Sequence, residues 1–400
     1  MEPRKRAKLA IKWPLKFTIE GRYHRARAST ITLPHGEVQT PVYMPVGTKG
    51  AIKGVTFQQM RELGCQILLG NTYHLGNYPG TEVLDNFSGL HNFEGWDRNI
   101  LTDSGGFQMV SLLKLAQITE EGVEFESPTD GSRMLLTPEE SMRIQNSIGA
   151  DIMMALDDVT NPLSTKERLE EACHRTTRWI DRCILAHNPS KPQNLFGIVQ
   201  GGLDASLRDI SLEGLISKNL PGYAIGGLAG GEAKEDFWKI VAHCTNKLPW
   251  EKPRYLMGVG YPIDLLVCSC LGVDMFDCVF ATRTARFGQV FTKKGFLRLR
   301  PEEMKSDLSP LDESCNCPTC IKYTKSFLSS LLHKEQTACH LLSIHNIYFL
   351  FTLMREIREA ILSGELEEYA RNFVLEWFNG VENVPNWVKE ALAEASITLN

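Results

Sequence analysis

One periodic feature restricts the fold of this chain more than any other. From residue 41 onward, eight short apolar runs alternate with stretches of helical composition: Val42 to Val46, Gln66 to Leu69, Ile100 to Thr102, Ile152 to Leu156, Leu195 to Val199, Tyr223 to Ile225, Tyr255 to Val259 and Met275 to Val279. The segments between them, such as Thr56 to Leu63, Pro138 to Ile148, Thr165 to Ala186 and Phe237 to Lys247, read as helices. Strands separated by helices form βαβ units and a parallel sheet, and eight of them close into an α/β fold, the (β/α)8 TIM barrel. A doubly wound open sheet is the architectural alternative.

The residues just past each run add chemistry to the pattern. The runs end in Gly47-Thr48, Gly70-Asn71-Thr72, Asp103-Ser104-Gly105-Gly106, Asp157-Asp158, Gln200-Gly201-Gly202, Gly226-Gly227 and Gly258-Val259-Gly260, while Asp277 lies within the last. In a barrel the C-terminal strand ends share one face, so three carboxylates, an amide and several glycines should meet at one mouth. Taken singly, each is a loop Asp or a turn Gly. Their recurrence at strand ends favours a site.

The flanks divide the chain further. Residues 1–14 form a basic tail, residues 15–33 alternate apolar and polar about Gly21 as an antiparallel hairpin, and the barrel with this cap spans 15–287. A second hairpin with a Lys293-Lys294-Gly295 turn opens a subdomain over 288–364, and amphipathic helices fill 365–400. Cys315, Cys317 and Cys320 form a C-x-C-x₂-C cluster suited to Zn²⁺, which leaves a fourth ligand open among His345, His340, His333 and Cys339. With carboxylates and no histidine pair at the mouth, the metal reads as structural.

Charge and composition exclude some classes of protein. The formal net charge is −5, yet residues 1–16 carry Arg4, Lys5, Arg6, Lys8, Lys12 and Lys16 against Glu2, so any nucleic acid must be gripped by local patches. No apolar run approaches the roughly 18 residues of a membrane span, and the basic N-terminus lacks a signal-peptide core. A cytoplasmic protein without a transmembrane segment is expected, with peripheral attachment to the mitochondrial outer surface left open by the basic tail. Eleven cysteines, eight of them scattered, suggest reduced thiols rather than a disulfide framework.

Asp103, Asp157 and Asp277 suit reaction at an anomeric carbon. Its oxocarbenium-like transition state is served by one carboxylate as nucleophile and another as proton shuttle. A third carboxylate can accept N–H groups from a purine edge, with the Gln200 amide and the Gly226-Gly227 backbone on its carbonyl. Arg283, Arg286, Lys293, Lys294, Arg298 and Arg300 come after the last run with no acidic residue among them, and they could grip phosphates. A solvated hairpin face is the plainer reading of the same residues.

At these residues the chain resembles the tRNA-guanine transglycosylases, specifically the eukaryotic catalytic subunits that insert queuine. The likeness runs from about residue 15 to the C-terminus. It rests on Leu101-Thr102-Asp103-Ser104-Gly105-Gly106-Phe107-Gln108, Gln200-Gly201-Gly202, Ala224-Ile225-Gly226-Gly227-Leu228, Tyr255-Leu256-Met257-Gly258-Val259-Gly260, Asp274-Met275-Phe276-Asp277-Cys278-Val279 and the cysteine cluster. The resemblance implies that Asp277 attacks the ribose C1′ and that Asp103 is the general acid/base. It assigns base binding to Ser104, Phe107, Asp157, Gln200, Gly227, Leu228 and Met257. It places RNA contacts at Gly258, Val259, Gly260, Tyr261, Pro262, Ile263 and Asp264 and at Thr282, Arg283, Thr284, Ala285 and Arg286. It also names His345 as the fourth ligand of one structural zinc.

The implied substrates are queuine and the tRNAs with a G-U-N anticodon (Asp, Asn, His and Tyr types). The implied assembly is a heterodimer with a homologous, non-catalytic barrel subunit. Two departures from the bacterial pattern stand out: Asp158-Val159 replaces Glu-Cys, and Gly230 replaces a bulkier Val. Less volume at Gly230 suggests room for queuine over its smaller precursor. Two other classes remain to be separated: a non-catalytic RNA-binding scaffold, which would not need its reactive carboxylates, and a plain glycoside hydrolase, which would not need the basic hairpin.

Overall fold

The computed structural model describes residues 12–106, 117–126, 133–332 and 334–399. The strands in chain order are β1 (Lys16–Tyr23), β2 (Ala26–Leu33), β3 (Gly36–Thr40), β4 (Val42–Met44), β5 (Val46–Gly47), β6 (Ile67–Gly70), β7 (Asn99–Thr102), β8 (Gln117–Ile118), β9 (Val123–Glu126), β10 (Arg133–Leu136), β11 (Ile152–Met154), β12 (Asn194–Val199), β13 (Gly222–Ile225), β14 (Arg254–Leu256), β15 (Met275–Asp277), β16 (Gln289–Thr292) and β17 (Gly295–Arg298).

The central sheet runs β4-β15-β14-β13-β12-β11-β7-β6-β5, parallel throughout. Its nine segments represent eight sequence runs, because β4 and β5 are halves of the first, divided at Pro45. Proline offers no N–H to a ladder, so the run changes partner there. Its first half pairs with β15 and its second with β6, which closes the barrel.

Side-chain alternation within the strands then fixes the site. An interior cluster takes Val42, Met44, Ile67, Leu69, Leu101, Ile152, Met154, Phe196, Ile198, Ala224, Tyr255 and Met275. The intervening Leu68, Ile100, Met153, Leu195, Tyr223, Ile225, Leu256 and Phe276 join the larger core shared with the helices. Two residues beyond an interior side chain the chain again points inward. Asn71, Asp103, Gln200, Met257 and Asp277 come after Leu69, Leu101, Ile198, Tyr255 and Met275 at that interval.

The N-terminal sheet, in the order β1-β2-β3, plugs the opposite end, with Ile31, Leu33 and Val38 in the interior cluster. The expected hairpin is present, but its turn falls at His24-Arg25 rather than Gly21, and a third strand extends it. Gly21 marks a break in register, and a β-carbon there would stand 2.8 Å from Leu362 Cδ2, so the glycine makes room for a C-terminal side chain. Arg27 fastens the cap by a fork to Asp274 at the foot of β15, through bonds of 2.9 and 2.5 Å. The small sheet β10-β9-β8, between β7 and the helix Pro138–Ile148, has no counterpart in the sequence pattern, since its strands are too short to show a period.

Beyond the barrel, helix Gln336–Ser363 begins two turns earlier than its sequence pattern suggests, because nothing between Gln336 and Ser343 interrupts it. It packs against the helices Pro262–Cys270 and Phe280–Arg286 and against β1 and β2. By length and composition alone it could cross a membrane, yet most of its apolar window is buried inside the protein, as in a core helix. Arg358 on this helix donates to the Ser29 and Thr40 carbonyls at 2.7 and 2.8 Å, tying it to the N-terminal sheet.

Candidate active site

Asp277 ends β15 and keeps part of its surface accessible. Its Oδ1 accepts from the Tyr255 hydroxyl at 2.5 Å and the Gly258 amide at 2.7 Å, whereas Oδ2 has no hydrogen-bond partner among the described residues. Burial of the carboxyl pushes Asp277 up to about 6, opposed by those two donors and assisted by repulsion from Asp103. One oxygen is thus anchored and the other is presented.

Asp103, past the end of β7, is held more completely. Asn71 Nδ2 donates to Oδ2 at 2.5 Å, and the Thr72 and Gly105 amides donate to Oδ1 at 2.9 and 3.2 Å. The Thr72 hydroxyl also caps the Asp103 carbonyl at 2.5 Å. By sequence, Asn71 and Thr72 are no more than the end of a strand. The signal that marks them is their place, two and three residues beyond interior Leu69.

A second polar chain crosses the mouth. Ser104 Oγ donates to Asp157 Oδ1 at 2.9 Å and Gln200 Nε2 donates to Oδ2 at 2.7 Å, with Asp157 almost wholly buried. Burial pushes Asp157 up to about 6, against the pull of these bonds, and its neighbour Asp158 adds repulsion. Gln200 Oε1 is buried with no partner among the described residues, so one acceptor lies beside Gly227. Leu228 and Met257 are half-buried next to this chain, and Phe107 lies outside the described residues. Beneath it, the buried Arg208 donates to the carbonyls of Val199 and Gly226 at 2.7 and 2.8 Å, binding the ends of β12 and β13 together.

The two departures from the bacterial pattern have structural surroundings, and for Gly230 the expectation of added room changes. Asp158 faces away from the base positions, meeting Arg168 Nη1 at 2.9 Å and Arg175 Nη1 at 2.5 Å in the core. The direction a side chain would take at Gly230 is not vacant either, because a β-carbon there would lie 2.7 Å from Pro162 Cδ. That glycine lets two loops approach each other.

The two expected RNA segments are placed unevenly. Pro262, Ile263 and Asp264 are buried at the start of a helix, with Asp264 paired to Lys234 at 2.5 Å, and Val259 and Gly260 are also buried. Gly258 and Tyr261 retain surface. In Phe280–Arg286, packing on the long helix buries Thr282, Thr284 and Ala285 and turns Arg283 outward, with Arg286 half-exposed. Arg283, Arg286, Lys293, Lys294 and Arg298 form no ion pair among the described residues, while Arg300 pairs with Glu303 at 2.9 Å.

The cysteine cluster assembles with His345. The sulfurs of Cys315, Cys317 and Cys320 stand 3.7, 3.4 and 3.3 Å from His345 Nδ1, and the four ligand atoms lie within 4.8 Å of one another. His345 Nε2 lies 2.7 Å from the Phe291 carbonyl, which makes it the protonated nitrogen and leaves the Nδ1 lone pair facing the sulfurs. His340 points instead to the Gly54 carbonyl, and His333 lies outside the described residues. The cluster can hold a metal ion.

Comparison with known proteins decides the family. A family description, queuine tRNA-ribosyltransferase, matches residues 23–379. This chain belongs to the queuine tRNA-ribosyltransferase family. It is 53% identical over 383 residues to the queuine tRNA-ribosyltransferase catalytic subunit of Schizosaccharomyces pombe, covering 94% of this chain and 95% of that one. The catalytic subunit of Caenorhabditis briggsae is 46% identical over 400 residues, covering 96% and 100%. The queuine tRNA-ribosyltransferase of Fusobacterium nucleatum is 47% identical over 367 residues, covering 91% and 98%. Family membership thus spans the barrel, the polar chains at its mouth and the metal cluster.

Proposed function

We propose that this chain exchanges guanine for queuine at the wobble position of tRNAs carrying a G-U-N anticodon, through a covalent link between Asp277 and the ribose. The observation that carries the mechanism is the asymmetry of Asp277, with Oδ1 tied by two donors and Oδ2 without a partner among the described residues. In the first half-reaction Oδ2 bonds to C1′, the C1′–N9 bond breaks, and its electron pair leaves with guanine, which takes up at N9 a proton given by Asp103. In the second, N9 of queuine bonds to C1′ as the C1′–Oδ2 pair returns to the carboxylate. Asp103 then takes the N9 proton, which balances the proton gained by guanine.

Ser104, Asp157, Gln200 and the Gly227-Leu228 backbone supply donors and acceptors for a purine edge, and Met257 with Phe107 would flank its faces. The unpaired cations from Arg283 to Arg298 suit the phosphates of an anticodon loop. For the metal, Zn²⁺ is our assignment. Ligands at Zn–S of about 2.3 Å and Zn–N of about 2.0 Å in tetrahedral array stand about 3.5 Å apart from sulfur to nitrogen, in keeping with the three separations here. Four protein ligands leave no open position, so the ion would be structural. The relatives named catalytic subunits support a second subunit, for which a homologous, non-catalytic barrel is our reading.

The test is incorporation of labelled guanine and queuine into tRNA by the wild type and by Asp277→Ala, with the partner supplied. Exchange by the wild type, lost in Asp277→Ala together with the RNA adduct on denaturing gels, is expected. Full activity in Asp277→Ala would remove the nucleophile assignment. Turnover of glycosides without RNA would favour a hydrolase, and no exchange at all would favour a scaffold.

A further inference from the structure

By sequence Tyr255 is only part of a strand, and the base-exchange scheme uses its hydroxyl only to anchor Asp277 Oδ1. It is fully buried in the barrel interior, where burial and the nearby Asp277 charge raise its pKa well above the ordinary tyrosine range and keep it a donor. Among the described residues its hydroxyl bonds only to Asp277 Oδ1, at 2.5 Å, the same oxygen that takes the Gly258 amide at 2.7 Å. An apolar barrel strand has no structural need for this hydroxyl, since a phenyl ring would fill the same space.

We propose that Tyr255 is a positioning residue that sets the balance between the two half-reactions, favouring release of the RNA from Asp277 over its capture. The inference rests on Asp277 acting as nucleophile. Donors on a carboxylate stabilise its charge, so they weaken it slightly as a nucleophile when Oδ2 attacks C1′. When the C1′–Oδ2 bond later breaks, the electron pair returns to the carboxylate and the charge spreads onto Oδ1. There the same donors stabilise the transition state without reorganisation. Two donors on one oxygen also decide which oxygen faces the ribose.

The experiment measures both halves separately by rapid quench on denaturing gels: formation of the enzyme–tRNA adduct without added base, then its decay on adding guanine. For Tyr255→Phe, release should slow about tenfold relative to capture, as expected for one hydrogen bond to a charged group. The steady-state adduct fraction should rise, with KM for tRNA unchanged. The acid limb of capture should move to higher pH, because a donor that favours ionised Asp277 is gone. Replacing Tyr255 by 3-fluorotyrosine, a stronger donor of nearly equal size, should shift the partition the other way. Equal slowing of both halves, or an unchanged partition in both variants, would overturn the proposal. If the wild type forms no adduct, the nucleophile reading fails, and this proposal with it. An adduct in the wild type with an unaltered partition defeats the role of Tyr255 alone.

Discussion

Gly227 and Gln200 lie so close that a β-carbon on the glycine would stand 2.2 Å from Gln200 Oε1. Gly227 also has φ +63, a conformation that costs other residues about 1 kcal/mol or more. Gly227→Ala should therefore displace the amide that holds Asp157. We expect at least a tenfold rise in KM for the base and a destabilisation of about 1–3 kcal/mol, read from base-exchange kinetics and denaturant melts. An unchanged KM would show that Gln200 does not meet the base.

Asp158 should behave in the opposite way. Replacing it by Asn leaves Arg168 and Arg175 without their buried partner, a loss of about 3 kcal/mol or more. Urea unfolding should show it. Base selectivity should not move, because Asp158 faces the arginines and not the mouth.

In the mechanism we propose, adduct formation takes its pH dependence from Asp277, which burial pushes up to about 6 and which attacks in its ionised form. Asp157 is also raised to about 6, and it accepts from Ser104 and Gln200 on both oxygens, with no O–H of its own, only while ionised. Capture should therefore rise with pH through about 6 and level off above 7, with a log-rate slope between about one and two on the acid side. A flat profile from pH 5 to 8 would contradict this assignment.

Stability has its own pH signature at the closed end of the barrel. Asp151 meets His35 Nδ1 at 2.7 Å and His91 Nε2 at 3.2 Å, and the two imidazoles stack 3.6 Å apart. The bond to Asp151 raises His35 despite partial burial, so its contribution is present below the ordinary histidine range and lost as pH rises through the folded value. For Asp151, burial acts upward but the two histidines outweigh it and lower the carboxyl. That contribution is present above the ordinary Asp value and lost as pH falls through the folded one. The Tm gap between wild type and His35→Asn should be widest between about pH 4 and 6.5 and should narrow on either side.

Cys317→Ala removes a buried thiol of the proposed zinc site, whose sulfur also caps helix Pro318–Lys322 through the Cys320 amide at 3.3 Å. Zinc content measured by mass spectrometry should fall from about one ion per chain to near none. Proteolysis around residues 315–320 should accelerate. Retention of both metal and protease resistance would exclude this cysteine as a ligand.

The barrel and its mouth are legible because strand alternation carries information across the whole sheet. The interval from Leu101 to Asp103 and from Met275 to Asp277 is visible in the sequence and is what the fold uses. The illegible part depends on contacts between distant strands. Tyr255 looks like one more apolar position, and Asn71 like a loop residue, until β6 lies beside β7 and β14 beside β15. Gly230 misleads for the same reason, since Pro162 comes from another loop. His345 is one of several candidates by spacing, and only the resemblance singles it out, because a ligand on a helix beyond the cysteines leaves no local pattern.

Helix Gln336–Ser363 holds two neighbours with separate tasks. His345 faces the sulfurs and touches the Phe291 carbonyl, while Asn346 accepts from the Phe291 amide at 3.1 Å and donates to the carbonyls of Ala281 and Gln289 at 3.0 and 3.1 Å. The ion's seat is thereby geared to the backbone that carries Arg283 and the basic hairpin, and not to the carboxylates. With zinc at the cluster and the hairpin on tRNA, as we propose, a cell starved of the metal should accumulate enzyme that still recognises its free base but has lost its hold on the nucleic acid. The deficit would take the form of a raised KM for tRNA beside an unaltered KM for guanine, which Cys320→Ser can reproduce in vitro.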